Sequence, residues 1–577
     1  MRAGIFARTA AMLLGLAALS GGLTAARAAG DPADKLATAD KDAKDWLTYH
    51  GSYLDYNYSG LSQINERTVK NLQVAWIHVP GRSTKGLQSM PLVYDGILYY
   101  SGSYSRVFAL DGASGAVLWS FFPEIDEALV AKQTHTPYNR GIALGHGNVY
   151  VGTVDGHLIA VDMKTGKKAW DTKLIDSQKL TVGFTGAPLL VKDTVIIGAQ
   201  GGEWPYRGPI FGVDARTGAK KWEFDTVAPD ERSRATWGND SWRVGGGGGW
   251  MPGTYDAASN TVWWGTANPA PLFDWGGSDW MTKGARPGIN LYTSSVIALD
   301  PDNGHLKFFH QEIPHDEYDF DSAVGEFLML DRDGHKLVVH PNKSGYVFVY
   351  NRADASLVNV WRATEHSNFV KTIDPKTGAL IGRLSEVEGD RNKNICPSFT
   401  GAIGWPSGAY SPRTGLFYRG IAEWCMNLKV AKTTPVVEPQ AQLFVGASFT
   451  VIGPDGGKPY GHVDARDPVT GALKWRVRLP EPLMASLLTT AGNLLFVPDT
   501  RGILHAYDAK TGKELWRHND GIGHSGGTIS YMAKGKQYVA VEAGWSPLSG
   551  FGYAPMYGGV YKSMPTSSGM LVVYALK

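Results

Sequence analysis

At 577 residues the chain is long enough for several ordinary domains, although all-β folds reach this length as one. Charged residues make up only 19%, against 71 glycines and 19 tryptophans, which argues against disorder and against a helical enzyme. A net charge of +2 without any basic run leaves nucleic-acid binding with no electrostatic support.

The chain opens with Arg2 and Arg8, an apolar run "AAMLLGLAALSGGL" and then "AARA", in which Ala26 and Ala28 form a small-x-small site. This predicts a secretory signal peptide over 1–28, cleaved after Ala28 and too short and glycine-rich for a stable membrane span. Cleavage removes three arginines and no acids, lowering the charge from +2 to −1. No later stretch is long and apolar enough to cross a bilayer. Residues 29–577 are expected to be one exported domain with no membrane span.

The phrase A-x-D-x-x-x-G-x-x-x-W then organises the chain. It reads "ALDGASGAVLW" (109–119), "AVDMKTGKKAW" (160–170), "GVDARTGAKKW" (212–222), "ARDPVTGALKW" (465–475) and "AYDAKTGKELW" (506–516). "ALDPDNGHLKF" (298–308) has Phe for Trp, and "TIDPKTGALIG" (372–382) keeps the turn and loses the aromatic. Each copy is a β-prone pair, an Asp/Gly turn and a second strand, as in a hairpin. Uninterrupted copies recur at about 40 to 50 residues, the period of a four-stranded propeller blade. The repeated Trp is expected to pack between neighbouring blades, because one blade cannot bury its own faces. Segments 223–297 and 383–464 read as blades with functional insertions. The count predicts an all-β propeller of seven or eight blades with tryptophan-docking repeats. Such propellers include non-catalytic scaffolds as well as enzymes, so function has to come from a site.

Several motifs carry nothing. No G-x-G-x-x-G opens a helix after a strand, which argues against a Rossmann site. "GHSGG" (523–527) fits G-x-S-x-G, yet lies between β-repeats rather than in a strand–turn–helix. "VGGGGGW" (244–250) lacks a following helix start with Lys-Ser/Thr and reads as backbone for close approach. The only cysteines, Cys396 and Cys425, are most simply one disulfide in an oxidising compartment; a metal-binding pair has no C-x-x-C to support it. C-x-x-C-H is absent as well, so no covalent haem is expected.

"PHDEYDFD" (314–321) places four acids in eight residues. In a strand Asp319 and Asp321 share a face, with Phe320 opposite. Carboxylates that close repel one another unless a cation lies between them, and a hard, oxygen-ligated ion such as Ca²⁺ suits the pair. The alternative is a solvated acidic turn. Asp316 and Glu317 read as its solvated part.

"TANPAP" (266–271), "RPGINLYTSSVIALDPDNG" (286–304) and "PHDEYDFD", in that order, resemble the quinoprotein alcohol dehydrogenases. So do "DWLTYHGSYLDYNYSGLSQIN", "FTGAPLLVKDTVIIGAQGGEWPYRG" (184–208), "ICPSF", "EWCMNL" and "GKQYVAVEAGW" (535–545), covering nearly all of the chain after 28. The resemblance implies an eight-bladed propeller that uses pyrroloquinoline quinone (PQQ) and a metal ion. It places metal ligands at Glu203, Asn268 and Asp319, with Asp319 the catalytic base. The extra acid Asp321 resembles the mark of the lanthanide-dependent branch; the alternative keeps it as a hydrogen-bond acceptor around Ca²⁺. Trp250 matches the indole that stacks on PQQ, which gives the glycine run before it the purpose of letting backbone approach a flat ligand. Lys343 matches the basic residue beside the reactive quinone carbonyl, where an ammonium stabilises developing charge. Arg140, Thr185, Gln88, Gln200 and Trp545 match cofactor-binding positions. The spacing of Cys396 and Cys425 matches the structural disulfide of methanol dehydrogenases.

The chain also departs from the family. Thr134-His135 stands where relatives carry an adjacent Cys–Cys pair, Gln88 replaces a Glu, Gln200 a Ser, Gly404 an Asn and Met484 a Trp. By resemblance the protein is a periplasmic dehydrogenase that oxidises an alcohol to an aldehyde or ketone. The metal is a Lewis acid, Asp319 takes the hydroxyl proton, and hydride passes to the quinone. Electrons leave to an external acceptor such as a cytochrome c, and a homodimer is compatible with the sequence. The insertion 272–288, with Phe273, Trp275, Trp280 and Met281, is expected to roof the substrate entrance. A calcium quinoprotein for a bulkier polyol or secondary alcohol is the alternative, and a non-catalytic envelope scaffold a third reading.

Overall fold

In the computed structural model the described residues are 1, 30–84, 86–130, 137–274, 285–384, 394–431, 434–436, 442–544, 556–564 and 567–577. The signal segment, Thr134-His135, Trp275, Trp280, Met281 and Trp545 lie outside them. Asp31–Lys577 form one compact unit.

Short runs rich in β-branched and aromatic residues, broken by Asp/Gly turns, build the eight sheets of a propeller, seven of four antiparallel strands and one of five, in which Tyr58–Ser59 adds a parallel edge to Leu488–Thr490. The second blade is representative: Ala143–Gly145, Asn148–Gly152, His157–Asp162 and Lys168–Lys173 pair in order. Its second strand is almost wholly buried, while the fourth alternates half-buried and exposed residues at the rim. The ring is closed by strand Leu72–His78, which pairs antiparallel with the C-terminal strand Gly569–Leu576, so the last blade needs both ends of the chain.

The repeated phrase is the glue between blades. Asp162 Oδ1 accepts from the backbone N–H of Lys164 and Thr165 and from the Thr165 hydroxyl, which folds the turn. Gly166 sits at φ +70, and a Cβ there would lie 2.8 Å from the Trp119 ring of the preceding blade. Trp119 Nε1 donates to Met163 O at 2.9 Å. The same contact recurs for Trp170 on Gly218, Trp222 on Gly304, Trp361 on Gly471 and Trp475 on Gly512. A flat indole needs a surface without a Cβ, and its N–H needs a carbonyl; the turn supplies both.

One copy was misplaced by sequence. The phrase at 372–382 forms a two-stranded ribbon, Thr372–Ile373 with Leu380–Ile381, outside the blades. The fifth blade instead runs from Leu328–Arg332 to Leu357–Arg362, and its docking residue is Trp361. The insertions are real. The sixth blade holds a ribbon of Cys425–Val430 and Ala447–Ile452 between its second and third strands, stapled to residue 396 by the Cys396–Cys425 disulfide.

Strand alternation sorts the connections. Turns join third to fourth strands at one end of the blades, except in the last, whose fourth strand is Leu72–His78. Second-to-third loops and blade-to-blade crossings emerge at the other, free of packing duty. Trp222 is nearly buried, at 7% exposure. Trp222→Ala is expected to cost about 3–5 kcal/mol in urea unfolding, with Trp222→Phe in between, because only the indole carries the Pro301 hydrogen bond.

Candidate active site

The loops at that free end converge on a cavity of about 180 Å³. Gln200 and Glu203 come from the loop between Thr194–Gly198 and Pro209–Asp214, and Lys343 from that between His335–Pro341 and Tyr346–Asn351. Arg140, Thr185, Trp250, Asp319 and Asp321 come from crossings between blades and also line it. Asn268 lies directly behind, touching Gly202 and donating its backbone N–H to Asp321 Oδ1 at 2.9 Å. Gln88 is buried in the crossing from Leu72–His78 to Leu92–Tyr94.

The acidic stretch is not a strand. Residues 314–321 are irregular, and Asp319 takes a left-handed φ of +65. The two carboxylates still converge, because Lys343 Nζ donates to Asp319 Oδ1 at 2.6 Å and lies 3.7 Å from Asp321 Oδ2. Trp250 Nε1 donates to Asp321 Oδ2 at 2.8 Å. Asp316 and Glu317 are buried rather than solvated. Asp316 accepts from the backbone of Tyr318 and Phe320 and from the Ser294 hydroxyl, holding the irregular chain in shape. Glu317 pairs with Arg383 at 3.0 Å.

The glycine run also serves a different end from the one expected. A Cβ on Gly246 would sit 1.9 Å from Gly202 O, and one on Gly248 2.0 Å from Gly201 O. Gly248 N donates to Gly201 O and Gly247 N to Asn268 O, each at 3.0 Å. The run therefore clamps the loops bearing Glu203 and Asn268 together, backbone against backbone. "GHSGG" holds no nucleophile, since the buried Ser525 hydroxyl is engaged with Leu87 O and Gly544 O.

Three carboxylates thus face one ammonium. Burial, with Asp321 and Glu203 nearby, pushes Asp319 well above the usual carboxylate range against the pull of Lys343. Burial and Asp321 likewise raise Glu203. Asn268 Oδ1 is a buried acceptor with no partner among the described residues, beside these acids. Oxygen donors in net negative excess with an idle carbonyl fit a hard cation. The other end of the cavity fits a flat anion. The Arg140 guanidinium lies 4.7 to 5.2 Å from the rings of Tyr138, Trp250 and Trp405, and among the described residues its Nε has no partner, nor has either side-chain polar atom of buried Gln200.

Trp405, Phe399, Trp424 and Phe449 also line the cavity and were not singled out from sequence. The one available signal was that these tryptophans fall outside the repeated phrase. A second acid–histidine group, Glu365, Glu423 and His462, has ligand atoms within 4.8 Å of one another but is already satisfied. Glu423 accepts from Thr364, two backbone amides and His462, while Glu365 pairs with Arg476 and Arg478.

The raised Glu203 value has a measurable sign. The folded chain holds this proton more tightly than the unfolded chain, whose group titrates near the ordinary 4.5. The stabilising contribution is full at low pH and lost as pH rises through the folded value. In chelated, ion-free protein Glu203→Gln should match the parent near pH 4 and exceed it increasingly toward pH 8. The gain is about 1.4 kcal/mol per unit that the folded value lies above 4.5. Thermal melts across pH check it, and parallel curves would contradict it.

The sequence pattern of the β-propeller domain of PQQ glucose/ethanol/alcohol dehydrogenases matches residues 46–366 and 381–539. A quinohemoprotein alcohol dehydrogenase of Comamonas testosteroni is 36% identical over 530 residues, covering 88% of this chain and 73% of the relative. The quinoprotein alcohol dehydrogenase PedH of Pseudomonas putida is 33% identical over 530 residues, 87% of this chain and 85% of the relative. Among solved structures, a europium-containing methanol dehydrogenase superposes with a TM-score of 0.84 at 30% identity, over 94% of this chain and 100% of that one. With the propeller and the convergent loops, these likenesses show that the chain belongs to the PQQ-dependent alcohol dehydrogenase family.

Proposed function

We propose that the protein oxidises an alcohol to an aldehyde or ketone with PQQ and a lanthanide ion, in the periplasm after removal of residues 1–28, and passes electrons to a separate carrier such as a cytochrome c. The observation that carries this reading is the convergence of Glu203, Asp319, Asp321 and the idle Asn268 Oδ1 beside Lys343. Glu203, Asn268, Asp319 and Asp321 would hold the ion. Arg140, Thr185, Gln88, Gln200 and Trp250 would hold PQQ, with Trp545, outside the described residues, proposed as a further contact. When bound, PQQ would supply the hydride-accepting redox chemistry and the ion Lewis acidity.

The chain's own residues do the rest. Asp319 accepts the hydroxyl proton of the alcohol, and the Lys343 ammonium beside it favours the charged form that this needs. Lys343, at 2.6 Å, keeps that carboxylate oriented and supplies a fixed positive charge where negative charge develops. Trp250 Nε1 and the Asn268 amide lock Asp321 from two directions. The buried Asp319 and Asp321 and the half-buried Glu203, which a PQQ carboxylate would join, favour a trivalent over a divalent ion.

One observation favours calcium instead: both Asp321 oxygens already accept hydrogen bonds, as a supporting residue's would. The two readings separate by dye-linked alcohol oxidation with PQQ plus La³⁺ or Ca²⁺. The lanthanide reading expects activity with La³⁺ and a loss of about 100-fold in Asp321→Ala. Equal or better activity with Ca²⁺, insensitive to that substitution, assigns the calcium role.

A further inference from the structure

We infer that Glu542 is a positioning residue for the cofactor: as a neutral carboxylic acid it pins the two crossings that carry Gln88 and Arg140, and so sets how tightly PQQ is held. The inference rests on the proposed role of Gln88 and Arg140 in holding PQQ.

Glu542 lies in the run "YVAVEAG" of strand Lys536–Gly544 and is 0% exposed. An acid inside a buried apolar strand is costly unless its hydrogen bonds are complete. Here they are complete in one protonation state. Glu542 Oε2 accepts from Ser89 N at 2.7 Å, and Glu542 Oε1 lies 2.5 Å from Ser89 Oγ. Ser89 Oγ is also 2.8 Å from Ser101 O, a backbone carbonyl that can only accept. A hydroxyl has one proton and cannot donate to both. With the Ser89 proton given to Ser101 O, the contact to Glu542 needs a proton on Oε1, donated to Ser89 Oγ. Among the described residues no cation pairs with Glu542. The titratable groups that feel its charge are Tyr49 and Tyr100, both held neutral by burial. Burial without a balancing cation pushes Glu542 well above the usual carboxylate range, in agreement with the bond count.

The same bonds reach both crossings. Ser89 directly follows Gln88, and its carbonyl accepts from Gly527 N at 2.8 Å, so every polar atom of Ser89 is engaged. Ser101 Oγ donates to Asn139 Oδ1 at 2.7 Å, which also accepts from Gly141 N at 2.9 Å. Asn139 and Gly141 flank Arg140, and Met90 N donates to Arg140 O at 3.1 Å. Gln88 and Arg140 thus hang on one network whose far end is Glu542. A Cβ on Gly526 would lie 2.4 Å from the Glu542 Cβ, so the acid is closely packed from behind. Ionised, Glu542 would draw the Ser89 proton away from Ser101 O or face the Ser89 oxygen with no proton between them. Either way the network opens.

The test follows PQQ binding by tryptophan fluorescence quenching in full-length protein with La³⁺ or Ca²⁺. Glu542→Gln keeps the shape, accepts from Ser89 N and donates to Ser89 Oγ, and should bind PQQ as the parent does at pH 7. Glu542→Leu leaves the buried Ser89 N–H unpaired and should weaken binding about tenfold. The pH profile carries the sign of the proton. With the folded value raised, the network is complete at low pH and is lost as pH rises through that value. Above it the parent's Kd should climb by up to about tenfold per pH unit relative to Glu542→Gln, whose amide does not titrate. Infrared difference spectra of parent against Glu542→Gln should show a carboxylic acid C=O band at pH 7. Absence of that band, parent-like binding by Glu542→Leu, or parallel Kd profiles up to pH 10 overturns the inference. If none of the proteins binds PQQ, the reading of the preceding subsection fails. The band then decides this one, together with faster amide exchange in segments 87–91 and 139–141 of Glu542→Leu but not of Glu542→Gln.

Discussion

Three carboxylates and a single ammonium share a space shielded from water, and the rest of the site is arranged around that imbalance. Left alone, buried acids at this spacing take up protons or lose their positions. Here Glu203, Asp319 and Asp321 are held by backbone that has nowhere else to go: glycines 246–248 clamp the Glu203 loop, Asp316 ties the irregular chain ahead of Asp319, and Trp250 and Asn268 fix Asp321. The left-handed φ of Asp319 is backbone strain of the kind expected where a ligand completes the electrostatics.

The propeller makes such a site tolerable by separating tasks. Stability resides in the Asp/Gly turns and the indoles that dock on them at one end of the blades, and in the closure of the ring by Leu72–His78. The loops at the opposite end carry little of that work. They can lengthen into insertions, as in the sixth blade, and supply both the charged and the apolar lining of the cavity. Phe444 N donates to Glu203 O, so the apolar segment 443–445 and the loop that would hold the ion are mechanically one unit.

Much of the fold was legible because its glue is local: Asp, Gly and Trp at fixed offsets describe a turn and the ring that lands on the next one. The same locality misled at 372–382, where Asp374 folds an identical turn through Lys376 and Thr377 in a ribbon outside the blades. Blade membership depends on distant pairing that a turn does not encode. The acids were legible as a cluster, but not their geometry. Asp319 leaves the β region, and Glu317 is buried because Arg383 arrives from 66 residues away. The apolar lining was legible only as segments, since Leu272 falls in the insertion expected to roof the entrance and Phe399, Trp424 and Phe449 in the expected insertion 383–464, but the individual residues share no spacing that marks them.

The most direct measurement is indole-sensitised terbium luminescence of the chelated protein. Trp250 donates its N–H to Asp321, so a Tb³⁺ ion held by the acids lies within energy-transfer reach of that ring. The account predicts emission saturating at one ion per chain, displaced by La³⁺ and abolished by Asp319→Asn or Glu203→Gln. Emission that never saturates, or that survives both substitutions, would contradict the claim that these carboxylates form a cation site.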